Sequence, residues 1–280
     1  MPVSSADGAT TGVPVPRRLL IALLLCCMPL LAAASCERPW RVAFDDWRPY
    51  SFIDAEGRHT GLETELLHAL AREMGCTVEY VRELPLNRRL PMLAAGELDL
   101  LVAASFDGPD TSDRTWFTRP YRDEEFSAFM RAGAARVMPQ SLAHALESGL
   151  RLLAHRGPSV VAAVDAFAAR GRLTLFEGYA KGVQLLKYGR GDLLLGDRLA
   201  VLFAANAAGV DVVELALPVR RDVVAYKLSR QRFDEADVSH FNEAILRLDA
   251  QGELRRIRTR WLSPPARPRP VGPGASAARR

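Results

Sequence analysis

Six residues, Gly96-Glu97-Leu98-Asp99-Leu100-Leu101, return 93 positions later as Gly189-Arg190-Gly191-Asp192-Leu193-Leu194 with G-x-x-D-L-L kept. A repeat this short carries weight only through its surroundings, and each copy closes a run of alternating strand and helix patterns. Before the first copy come a strand at Arg41–Phe44, an amphipathic helix over Gly61–Met74 with Leu62, Leu66, Leu67, Leu70 and Met74 on one face, a strand at Thr77–Val81 and a short helix at Arg88–Ala95. Leu98–Ala103 then reads as a buried strand. Around the second copy the order recurs: strand Leu150–Ala154, helix Ser159–Ala169, strand Leu173–Phe176, helix Gly182–Tyr188, strand Asp192–Leu195. A β-α-β-α-β order demands parallel strands with helical crossovers, so the chain is expected to be α/β with two similar lobes. A strand at Val223–Leu228 and a helix at Val238–Gln251 complete it. Two such lobes leave a cleft, and open α/β sheets bind ligands at the carboxyl ends of their strands.

The two ends differ from this middle. Arg17-Arg18, the apolar run Leu19–Leu31 and the small residues Ala32-Ala33-Ala34-Ser35 have the order of a secretory signal peptide over residues 1–35. The run is short for a membrane span and Pro29 interrupts it. Residues 263–280, rich in Pro, Gly, Ala and Arg, read as a disordered tail. The tail holds four Arg and no acid, and the leader two Arg and one Asp, so the net charge of +4 leaves −1 for residues 36–262. A nearly neutral folded part gives no footprint for nucleic acid.

Export makes a disulfide permissible, and Cys36 and Cys76 are the cysteines left once the leader, with Cys26 and Cys27, is removed. Each stands just before a predicted strand. If those strands are parallel neighbours, both cysteines reach one sheet edge in bridging range. The alternative is a lipid on Cys36, since Ala33-Ala34-Ser35-Cys36 partly matches a bacterial lipoprotein box.

The motifs along the middle resemble those of the bacterial extracellular solute-binding proteins of family 3, the polar amino-acid transport type. The resemblance rests on Trp47-Arg48-Pro49-Tyr50-Ser51-Phe52, Asp54-Ala55-Glu56-Gly57 and Gly61-Leu62-Glu63-Thr64-Glu65-Leu66, then both G-x-x-D-L-L blocks, then Phe117-Thr118-Arg119-Pro120-Tyr121. The closing helix follows through Asn242-Glu243-Ala244-Ile245, Gly252-Glu253-Leu254, Ile257 and Trp261-Leu262. It implies a type II periplasmic-binding-protein-like fold, each lobe a mostly parallel sheet flanked by helices, with the ligand cleft between lobes. Lobe 1 is expected over 37–125 and 224–262, and lobe 2 over 126–223.

By the resemblance, Asp197 accepts hydrogen bonds from a ligand ammonium group, while as an isolated residue it reads as the N-cap of a helix over Arg198–Ala205. Trp47 aligns with an aromatic that stacks on the ligand, or else packs in the core with Tyr50 and Phe52. Gly157-Pro158-Ser159 aligns with a helix-start loop whose backbone N–H groups suit an anionic group, with Ser159 as a contact and Pro158 lacking a donor. The family's carboxylate-binding arginine is replaced by Thr111, and its assisting serine or threonine by Phe106. Thr cannot supply a bidentate guanidinium contact. Arg114, three residues on, either reaches the same spot or is a solvated surface residue. The tripeptide Arg190-Gly191-Asp192 reads as structural, because Asp99 holds the same place in the first copy and three leucines follow.

These readings imply an exported, periplasmic, monomeric protein that closes on a small polar solute, amino-acid-like or cationic, and hands it to the membrane permease of an ABC transporter. It would meet the membrane only through that partner or through a lipid on Cys36. Five histidines lack metal-ligand spacing, no H-E-x-x-H, G-x-S-x-G or P-loop occurs, and neither a metal, a cofactor nor a catalytic residue is expected. The alternatives are a sensing module for a membrane receptor, or a cyclohexadienyl-dehydratase-like enzyme needing an acid such as Glu83 or Asp107 in the cleft.

Overall fold

The computed structural model describes residues 36, 38–82, 84–106, 113–134, 139–156, 162–215 and 219–262. The leader, the tail, Glu83, Asp107, Thr111 and the loop with Ser159 lie outside the described residues.

One sheet runs through the molecule in the order β4-β1-β5-β12-β7-β10-β8-β9. Its first flank is a parallel triplet: β1 (Trp40–Ala43) lies between β4 (Val78–Val81) and β5 (Leu100–Ser105), with Trp40 opposite Val78 and Val42 opposite Leu100. The other flank repeats it, with β8 (Leu152–His155) between β9 (Leu173–Phe176) and β10 (Leu193–Asp197). Two ten-residue antiparallel strands, β7 (Arg122–Arg131) and β12 (Arg220–Ser229), join the triplets. Short strands β6 (Thr115–Phe117) and β11 (Val212–Glu214) add to β12 and β7, and β2 (Phe52–Ile53) with β3 (His59–Thr60) forms a separate hairpin.

The duplication is physical. Asp99 and Arg41 exchange backbone bonds and side-chain contact just as Asp192 and Arg151 do: Arg41 N–H donates to the Asp99 carboxylate at 2.8 Å, and Arg151 N–H to that of Asp192 at 2.9 Å. Asp99 also takes a bidentate bond from Arg38, 2.7 Å to each oxygen, and Asp192 takes bonds of 3.0 Å from the Arg151 guanidinium. Both aspartates therefore tie the head of one strand to its neighbour, which is the work of the aspartate in the tripeptide.

Helices α1 (Leu62–Glu73) and α2 (Leu86–Ala94) are the crossovers of the first triplet, and α4 (Ala163–Ala169) and α5 (Tyr179–Lys187) those of the second. The remaining helices among the described residues are α3 (Leu142–Glu147), α6 (Arg198–Ala207), α7 (Glu235–Ala250) and α8 (Glu253–Leu262). The run Leu193-Leu194-Leu195 is explained by burial on both faces of β10. Leu193 and Leu195 pack with Leu142, Leu152 and Phe167, whereas Leu194 packs with Phe129, Phe176 and Val201. A separate core gathers Trp40, Leu66, Leu70, Leu100, Tyr226, Phe241 and Ile245, and draws in Leu199 and Ala200 from the start of α6.

Cys36 and Cys76 form a disulfide with Cα atoms 5.3 Å apart. The parallel register of β1 and β4 brings them together, since each cysteine precedes its strand by a few residues at the same sheet edge. While that bond holds, the Cys36 sulfur is not available for a lipid.

Candidate ligand-binding site

Asp197 ends β10 and caps α6, its carboxylate accepting the Ala200 N–H at 2.8 Å. The same carboxylate receives the Tyr50 hydroxyl, 2.8 Å from both oxygens, across 147 residues of sequence. Asp197 is 2% exposed. Burial pushes its carboxyl up, opposed by the Ala200 N–H, the Tyr50 hydroxyl and the charge of Arg122. Two glycines make this junction possible. Gly61 has φ 118°, and a Cβ there would lie 2.3 Å from the Tyr50 carbonyl oxygen. That close approach lets the N–H groups at the start of α1, on Leu62 and Glu63, take the carbonyls of Pro49 and Tyr50 at 3.0 and 2.8 Å. Gly196 leaves room for the Tyr179 ring, which a Cβ would meet at 2.3 Å, and the Tyr179 hydroxyl accepts the Asp197 N–H at 3.0 Å.

Behind Tyr50 lies a buried ion network. The Arg122 guanidinium, 4.8 Å from the centre of the Tyr50 ring, pairs with Glu63 and reaches Glu124 at 3.4 Å. The Tyr121 hydroxyl donates to Glu63 at 2.5 Å and accepts the Ala103 N–H at 2.8 Å. Ala103 sits at φ 50°, an uncommon backbone state for a residue with a Cβ, and Tyr121 holds it there. Glu124 is pushed up to about 7 by burial, with Arg122 pulling it down and Asp197 and Glu63 pushing it up. Two carboxylates, Glu63 and Glu124, thus pair with one guanidinium, whose charge also acts on Asp197.

Trp47 is half-buried and stacks on Tyr50 with ring centres 4.2 Å apart. It supports the tyrosine and belongs to the edge of the first core. Phe106 is 45% exposed and lies at the carboxyl end of β5. With Ser105, Asp123, Glu125, Arg221, Asp222 and Val223 it lines a cavity of about 550 Å³, within the range of small-ligand sites. Arg114 is placed elsewhere. It precedes β6, whose Thr115 is opposite Ser229, and Ser229 bonds to Asp99 at the start of β5. The register therefore sets Arg114 at the end of the sheet away from Ser105 and Phe106, exposed and beside Asp113 at 3.5 Å. His155 leans on Tyr179 with ring centres 5.6 Å apart, and the exposed Arg156 pairs with Glu177 at 3.2 Å. No group of metal-ligating side chains occurs among the described residues.

Tyr50, Glu63, Tyr121, Arg122, Glu124 and Tyr179 were not singled out by sequence. Tyr50 read as core, and it is buried, but its hydroxyl leaves the core for Asp197. Arg122-Asp123-Glu124-Glu125 is a plain charge run in sequence, and its place between two strand triplets buries Arg122 and half-buries Glu124 while Asp123 stays exposed.

Two repeated α/β lobes joined by paired antiparallel strands, with a buried carboxylate at a strand's carboxyl end, are the architecture of a two-lobed ligand-binding protein. The sequence model of the bacterial extracellular solute-binding proteins, family 3, matches residues 40–264, and the chain belongs to that family. A probable amino-acid ABC transporter-binding protein of Haemophilus influenzae is 22% identical over 219 residues, covering 77% of this chain and 81% of that one. Among solved structures, an ancestral cationic amino acid solute-binding protein superposes with a TM-score of 0.64 at 21% identity over 80% of this chain and 95% of its own. A histidine kinase sensor domain with similarity to periplasmic binding proteins also gives 0.64, at 23% identity over 81% and 96%.

Proposed function

We propose that the protein is an exported solute-binding protein that captures a small amino-acid-like or cationic solute between its lobes and delivers it to an ABC transporter, without chemistry. The observation that carries the reading is Asp197, a carboxylate held out of water at the carboxyl end of β10, in a chain of this family. Its donors in the structure, the Ala200 N–H and the Tyr50 hydroxyl, are both neutral, and a ligand ammonium group would add a charge-assisted contact with up to three donors. Support for a cationic over an anionic ligand comes from charge. The loops 107–112 and 157–161 contain no Lys or Arg. Arg122 is engaged by Glu63, and Arg221 by Glu125 at 3.0 Å. A disulfide between Cys36 and Cys76 fits an oxidising compartment such as the periplasm, reached through a leader over 1–35. The lobes divide at 125/126 and 223/224, within β7 and β12, which then act as the hinge.

A thermal-shift screen of the disulfide-bonded protein against amino acids, polyamines, small carboxylates and short peptides tests the reading. A ligand at about 100 times its Kd stabilises by about 2.7 kcal/mol, and Asp197→Asn should abolish the shift. Shifts only with anionic carboxylates would overturn it. The likeness to a kinase sensor domain keeps one second reading in play, in which closure is read by a membrane receptor. Pull-down with a co-encoded permease or sensor separates the two.

A further inference from the structure

We infer that Tyr50 is an internal occupant of the Asp197 site: its hydroxyl holds the place of the ligand's donor, latches the two lobes without ligand, and sets which ligands can displace it. The inference rests on the solute-binding reading for its ligand half and on geometry alone for its latch half. Tyr50 belongs to the first triplet's side of the molecule, fixed through its carbonyl to the start of α1, and Asp197 ends a strand of the second. Their contact is fully buried, and the hydroxyl lies 2.8 Å from each carboxylate oxygen. The ring is clamped on two sides, by the Trp47 indole and by the Arg122 guanidinium 4.8 Å from its centre. A ring held so firmly presents its hydroxyl as a preformed ligand group.

The chemistry of exchange sets selectivity. A phenol offers one neutral donor, shared here between two oxygens. A ligand that brings only a neutral hydroxyl or amide replaces like with like and gains nothing at Asp197. A ligand that brings an ammonium or guanidinium gains a charge-assisted bond and further donors, with Glu124 close behind on the same face of the sheet as a second carboxylate. Among the described residues, the titratable and charged groups facing Asp197 are Tyr50 from the loop before β2, Tyr179 from α5, and Arg122 and Glu124 from β7. Of these, the cation is spent on Glu63. Displacement therefore favours cations, and the latch lowers the affinity of every ligand by the fraction of protein it holds shut.

The test combines small-angle scattering of the ligand-free protein with calorimetry, using agmatine, L-arginine and putrescine as probes. It compares wild type, Tyr50→Phe and Asp197→Asn, each checked for native circular dichroism. Tyr50→Phe keeps the ring and its stacking. Ligand-free Tyr50→Phe should have a larger radius of gyration than wild type and bind the cations about tenfold more tightly, the size of one hydrogen bond to a charged group. Asp197→Asn keeps an oxygen for the tyrosine, so it should stay compact while losing the cations. If Tyr50→Phe is as compact as wild type and binds no tighter, Tyr50 is not a latch. If it binds the cations more weakly, the hydroxyl is a ligand contact and the inference is wrong. If it expands but neither protein binds any probe, the latch stands and the solute reading fails.

Discussion

Glu124→Gln should change how stability depends on pH, and the size of the change can be worked out in advance. Glu124 stands on β7 beside Arg122 with its side chain 12% exposed, and its carboxyl moves from an ordinary 4.5 to about 7. In the unfolded chain it ionises near its ordinary value. Between pH 4.5 and 7 the native state therefore binds more protons than the unfolded state, so this group's contribution to stability falls as pH rises. A shift of roughly two and a half units corresponds to about 3 kcal/mol in full, of which about 2–3 kcal/mol falls between pH 5 and 8. His59 and His68 act in the opposite sense. Burial lowers both, so the stability they contribute is present at neutral pH and is lost as pH falls below the ordinary histidine value of 6.5. They are common to both proteins, so the difference between wild type and Glu124→Gln isolates Glu124. Urea unfolding at pH 5, 6, 7 and 8 measures it. The difference should move in the variant's favour by about 2–3 kcal/mol across that range. Parallel pH profiles for the two proteins would refute the placement of a carboxyl raised by burial in this network.

Tyr121→Phe leaves the part-buried Ala103 N–H and one buried Glu63 oxygen without their present partner and should cost about 1–3 kcal/mol in chemical denaturation. Gly61→Ala meets backbone rather than side chain at 2.3 Å, in a left-handed conformation. It should displace Tyr50 and lower Tm, while Gly57→Ala, open around its Cβ, should cost only about 1 kcal/mol of backbone strain. Reduction of the Cys36–Cys76 bond should cost about 2–5 kcal/mol, seen as a Tm lowered by dithiothreitol in wild type and unchanged in a Cys36→Ser/Cys76→Ser protein. Asp192→Ala should lower stability by uncoupling β10 from Arg151, and a synthetic Arg-Gly-Asp receptor assay on the intact protein should be silent, because that carboxylate is already engaged.

The fold was legible because its signals are local and repeated. The two G-x-x-D-L-L blocks, the apolar face of Leu62 to Leu70 and the doubly buried Leu193–Leu195 each report a period or a burial state without tertiary context. The strand starting at Arg122 was not legible. Its head, Arg122-Asp123-Glu124-Glu125, lacks apolar alternation, and it is a strand because β12 and β10 pair it on either side. Helix α5 starts at Tyr179 rather than Gly182, since Gly178 at φ 69° turns the chain into it and the Tyr179 ring fills the space over Gly196. The site divides the same way. The place of Asp197 at a strand end and helix start could be read from block position, and the cysteine pair from strand heads. Arg114 could not be judged by its spacing from Thr111, because β6 carries it to the far end of the sheet. Tyr50 and Arg122 were hidden because a tyrosine and a charge run look the same in sequence whether they face water or an opposing lobe.

The most direct measurement is calorimetric titration of the disulfide-bonded protein with agmatine, L-arginine and putrescine, run in parallel on Asp197→Asn. The account predicts saturable one-to-one binding of at least one of these cations to wild type and at least a hundredfold loss in the variant, the size expected when a buried charged hydrogen bond of about 3 kcal/mol is removed. Binding of equal strength to both proteins would contradict it, because the solute would then be held by something other than the carboxylate at the end of β10.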